Sequence, residues 1–186
     1  MEHKRTDSRL FLFTKLHVKE MFFGFLLVMT FFINKKSFLF WVLTLLCAIF
    51  DYYHDKYNKT IFDMRLGLFG GVIIARYYGL FPAILFYVLS SIVPNVLAGG
   101  RLDGPTLVFH VLYIILFGIT TWFNNADLII LGLLMVLTDG VLGVFINMAL
   151  GLPSFMAITA ALFAVTIRII YFLTLGRLII FIYQFI

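Results

Sequence analysis

Residues 127–150 read DLIILGLLMVLTDGVLGVFINMAL. A membrane-spanning helix needs about 20 mostly apolar residues, and this run has the length. Beyond its first residue it holds one charge, Asp139. A charged side chain at a bilayer centre costs about 2.5–3.5 kcal/mol on insertion scales, so it faces protein or water rather than lipid. Asp139, Gly143 and Asn147 follow one another at intervals of four and share a helical face. Gly132 and Met135 extend that face. It is small and polar, so it is expected to look into a bundle.

Similar apolar runs fill the rest of the chain. They cover roughly 18–34, 37–54, 61–77, 79–98 and 105–123, and a last one runs from 153 to 186. The last is too long for a simple span, so it is expected to tilt, to kink near Gly176 or to end in an interfacial segment. In hydrocarbon each unpaired backbone N–H or C=O costs several kcal/mol, and a helix satisfies them within the segment. A β-barrel would need short alternating strands, and these runs are continuous. The expected fold is an all-α integral membrane protein with six or seven transmembrane helices in one domain, 18–186. Residues 1–17 form an N-terminal cytoplasmic segment, read either as an interfacial helix or as a frayed tail.

Composition supports this reading. Hydrophobic residues make up 63% of the 186 residues and charged ones 12%. Soluble domains are about 45–50% apolar and about 25% charged, because they must cover a wet surface. The net charge of +5 comes from basic residues beside apolar runs. Cytoplasmic loops and anionic headgroups favour that placement, so no nucleic-acid partner is expected. Lys4, Arg5, Arg9, Lys15 and Lys19 precede the first run and point to a cytoplasmic N-terminus in a multi-pass protein of the cell membrane. Lys56, Lys59 and Arg65 return to that side after two spans, whereas Lys35 and Lys36 oppose the assignment. No secretory signal peptide is read at the N-terminus. Cys47 is the only cysteine, which leaves no internal disulfide and no cysteine-based zinc site.

Several polar residues stand out. Ala157, Ala161, Ala164 and Arg168 repeat the spacing of the Asp139 face, and small residues let helices approach closely. Gly143 and these alanines are the expected packing positions. Arg168 needs an anion, and Asp139 is the obvious one. The pair either fixes helix packing, lines a solute pocket or relays a proton or ion. In SSIVPNVLAGGRLDGPT (90–106), Pro94 is expected to break a helix, since it lacks an N–H and clashes with the preceding turn. Asp103 or Thr106 would cap the next helix, with Pro105 near its first position. The stretch is either an ordinary turn or a re-entrant wall of a binding site, with Asn95 facing a cavity and Arg101 drawing an anionic group. His110 is read as a packing histidine with Tyr113 as its partner, or as a ligand-binding group. Trp122 marks an interface belt. Asp51, His54 and Asp55 form either a metal-binding trio or a solvated helix end.

No HExxH helix, GxSxG elbow, P-loop or clustered acidic motif is present, so neither an enzyme nor a cofactor is expected. No internal repeat of the kind found in transporters that act alone is evident, which points to partner subunits.

From residue 62, FDMRLGLFGGVIIARYYGLFPAILFYVLSSIVPNVLAGG followed by GPTLVFHVLYIILFG resembles the substrate-binding (S) components of energy-coupling-factor transporters. It is also similar to the MreD family of rod-shape-determining membrane proteins. In both, a Gly-containing helix leads to a Gly-rich turn and a helix opening with a Thr-Leu-like pair. The resemblance covers roughly 62–180. It implies a bundle that binds a small solute between helices and works with other membrane subunits. In the MreD-like alternative the chain is a non-catalytic scaffold of a larger complex. A polar cavity near Asp139, Asn147, His110 and Arg168 would favour solute binding, and a solid interior would favour the scaffold.

Overall fold

A computed structural model describes residues 34–57, 63–100 and 102–184. Its contacts divide the chain into two units, Met1–Trp41 and Val42–Ile186. In the first, Asn34 starts a helix, its side-chain Oδ1 accepting from the Ser37 amide at 3.2 Å. All regular structure among the described residues is helical. Helix α1 spans Lys35–Tyr57 and α2 spans Gly67–Tyr78. Helix α3 covers Leu80–Leu97, α4 Gly104–Trp122, α5 Leu128–Ala149 and α6 Ser154–Gln184. All except α2 are long and apolar enough to cross a membrane. The expected run at 18–34 and the N-terminal segment 1–17 lie outside the described residues.

The second unit has its polar groups inside and its apolar rings outside. Phe81 and Phe155 are each 79% exposed, whereas Asp51 and Thr120 are 0% exposed. Such an arrangement is stable only where the surroundings are as apolar as the surface. The chain is an all-α membrane protein.

The expected third run, 61–77, is corrected by the structure. Helix α2 has 12 residues. At about 1.5 Å per residue it is about 18 Å long, short of a hydrocarbon core of about 30 Å. From Gly67 to Ala75 it is apolar all round, and every one of those residues is buried. A helix of that kind belongs in the core rather than at the lipid face. Helix α2 accordingly packs against α3, α4 and α5.

Glycines set these contacts. Gly79, with φ of 91° and ψ of 180°, is the single residue between α2 and α3. That backbone region is open essentially to glycine alone. The two helices fold back on each other, so that Gly67 lies against Ser91 and Gly70 against the Phe86 ring. Gly71 receives the Phe117 ring of α4. Helices α5 and α6 pair in the same antiparallel way, Gly132 against Phe172 and Gly140 against Val165.

Helix ends follow ordinary capping chemistry. Asp103 caps α4 through the Thr106 amide at 3.0 Å. Asp127 caps α5 through the Ile129 and Ile130 amides at 2.9 and 3.1 Å. Pro94 does not break its helix, against expectation. The turn before it, Val88–Ile92, widens into a π-turn in which the Val93 amide reaches back five residues to the Val88 carbonyl. That widening absorbs the clash a proline makes with the turn before it. The last helix carries a similar π-turn at Phe172–Gly176, where a kink was one of the three expectations.

Candidate functional site

The site begins with the residue midway along α5. Asp139 Oδ2 accepts from Arg168 Nη1 of α6, as the spacing of both faces suggests. The two side chains are 6% and 3% exposed, so neither charge meets bulk water. A buried ion pair holds only if its remaining polar atoms also find partners. Two further groups supply them to Arg168. Its Nη2 donates to Asp63 Oδ2 at 2.6 Å and to the Tyr113 hydroxyl of α4 at 3.1 Å. Asp63 in turn takes a forked pair from Arg65, Nε to Oδ1 at 2.9 Å and Nη2 to Oδ2 at 3.3 Å. Asp63 thus sits between two guanidinium groups, and the cluster holds two positive and two negative charges.

Asp63 and Arg65 reach this position because residues 63–66 are not helical. Irregular backbone inside a bundle survives only where other groups satisfy it. Here α1 and α6 do so. The Leu66 amide donates to Asp51 Oδ1 at 2.8 Å and the Met64 amide to His54 Nε2 at 3.3 Å. The Tyr171 hydroxyl donates to the Met64 carbonyl at 3.1 Å. Asp51 also accepts from Ser91 Oγ, and Asp55 accepts from Asn95 Nδ2 at 2.9 Å. Asp51, His54 and Asp55 therefore clasp the segment to α3. Among the described residues no group of three or more His, Cys, Asp or Glu side chains is arranged to hold a metal ion.

A cavity of about 300 Å³ opens beside the cluster. Asn95, His110, Asp139, Asn147 and Arg168 line it, together with Gly143, Ala161 and Ala164. The small residues, expected at a helix contact, thus form a wall. Gly140 and Ala160 belong to the same wall, and Tyr87, Phe109 and Tyr113 supply aromatic surface. Ala157 is fully buried and is not part of the lining. Arg101 lies outside the described residues. His110 bonds through Nδ1 to the Tyr87 hydroxyl at 2.7 Å, rather than to Tyr113 as expected. Tyr113 is taken by Arg168 instead.

No protein-family model, curated protein or solved structure matches the chain.

The geometry adds Asp63, Arg65, Tyr87, Thr106 and Phe109 to the lining residues expected from sequence. One signal for the first two was present. A pair of opposite charges, Asp63 and Arg65, heads a run that is short and glycine-containing. Four of the residues at the cavity each keep one buried polar atom with no partner among the described residues. These are Asn95 Oδ1, His110 Nε2, Asp139 Oδ1 and Arg168 Nε. Such atoms cost about 1–3 kcal/mol each when left unsatisfied, and a native structure keeps few of them.

Proposed function

We propose that the chain is the membrane-embedded solute-binding subunit of a multi-component transporter. The observation that carries this reading is the cavity beside the Asp139–Arg168 pair, whose residues hold unpartnered donors and acceptors. Small-molecule sites are concave, about 300–1,000 Å³, and combine apolar walls with a few placed polar groups. This cavity has the volume, the aromatic and small-residue walls and the polar groups. The multi-component part rests on the resemblance of residues 62–180 to the transporter S components. It rests also on a sequence that carries no P-loop, so partner subunits would supply the energy.

The test is mass spectrometry of the protein purified in mild detergent, read for small molecules and for partner proteins. A solute that co-purifies with the native chain, but not with Asp139→Asn or Arg168→Gln variants that remain folded, supports the reading. Partner proteins with no solute in any preparation would favour the MreD-like scaffold instead.

A further inference from the structure

The charges at the cavity restrict what it can hold. Resting on the solute-binding reading above, we propose that its occupant is an uncharged solute presenting a hydrogen-bond donor beside an acceptor. The four ionised side chains there already neutralise one another. Arg168 bonds both Asp139 and Asp63, and Arg65 forks onto Asp63. A charged ligand would give up its hydration, several kcal/mol per ion, to meet a pair that has no net charge to offer. Asp51 and Asp55, on α1, are not among the lining residues and hold donors of their own.

The atoms left over on the ion pair are one acceptor and one donor. Asp139 keeps Oδ1 and Arg168 keeps Nε, and neither has a partner among the described residues. Both atoms are buried beside the cavity, so a ligand reaches them only as the lining side chains shift: an N–H would then answer the first and a C=O the second. An amide, lactam or urea-like edge carries both groups without a net charge. Asn95 Oδ1 and His110 Nε2 then remain to read the rest of the molecule. Glycine, alanine and aromatic residues in the lining favour a flat, apolar body.

Three probes of one shape separate the charge states: benzamide, the benzoate anion and the benzamidinium cation. Each is titrated at neutral pH into the full chain in lipid nanodiscs, with binding read by calorimetry and by the unfolding temperature. Benzamide is expected to bind, and the two ions at least about tenfold more weakly, given what desolvating an ion costs. Filling the cavity with Gly143→Leu or Ala161→Leu should abolish benzamide binding while helical circular dichroism persists. If either filled variant misfolds, an Asn147→Cys variant serves, in which benzamide should slow maleimide labelling. Tighter binding of benzoate or benzamidinium, lost on filling the cavity, would overturn the charge assignment and leave the solute-binding reading standing. Failure of all three probes, or binding that survives the fillings, would overturn both.

Discussion

Arg168 donates to two carboxylates, whereas Asp139 accepts from one guanidinium. The two partners of this ion pair should therefore differ in their cost of removal. Arg168→Gln strands Asp139 and takes one of two cations from Asp63. Breaking a buried pair in this way typically costs about 3–5 kcal/mol. Asp139→Asn leaves Arg168 still bound to Asp63 and Tyr113, so a loss of about 1–3 kcal/mol is expected. Denaturant unfolding in detergent should rank them in that order, and the double variant should lose less than the sum of the singles. Sequence spacing alone pairs Asp139 with Arg168, because both lie on small-residue faces of long helices. It does not bring in Asp63. Helical periodicity carries a residue's direction only while the helix lasts, and Asp63 precedes the first residue of α2. His110 illustrates the same limit. Its neighbour three positions on, Tyr113, is the natural partner by sequence, but Tyr87 from another helix takes it.

Among the elements, α2 shows how a hydropathy run differs from a span. The run at 61–77 is mostly apolar, yet α2 is held at 12 residues because the segment before it is bonded to side chains of α1 and α6. Those bonds join residues that lie between 10 and 107 positions apart, beyond the reach of local pattern. The cap at Asp103 was more legible, since a cap acts within three residues. Pro94 was half legible. Its clash was foreseen, but the π-turn that absorbs it depends on packing. Helix contacts also yield a contrast between glycines. Gly132→Val would drive a side chain into the Phe172 ring and should lower stability by about 1–3 kcal/mol, as overpacking does. Gly118 has nothing within 4 Å of where a Cβ would stand. Gly118→Ala should leave the unfolding temperature unchanged or raise it, as a helix gains from losing an interior glycine.

For the molecule as a whole, the inverted placement of polar and apolar groups makes its one cysteine a reporter of native packing. Cys47 is 1% exposed. A membrane-permeant maleimide should leave the folded protein unlabelled and should react once it is unfolded in strong detergent. Labelling of the native protein at the unfolded rate would contradict the packing of α1. The fold class was readable from composition, because a chain this poor in charge has no wet exterior to cover. The ends of the helices were not, because they depend on which polar groups meet. The wall of the cavity carries one more consequence. Gly140, Gly143, Ala160, Ala161 and Ala164 bring at most a single methyl each, and none of them is charged. Mutational drift at Gly143 and the three alanines could reshape the chamber one carbon at a time while both aspartates and both arginines stayed in place, whereas a carbon added at Gly140 would meet Val165. On the solute-binding proposal, selectivity by size and selectivity by charge are thus written in separate residues, and either could change without disturbing the other.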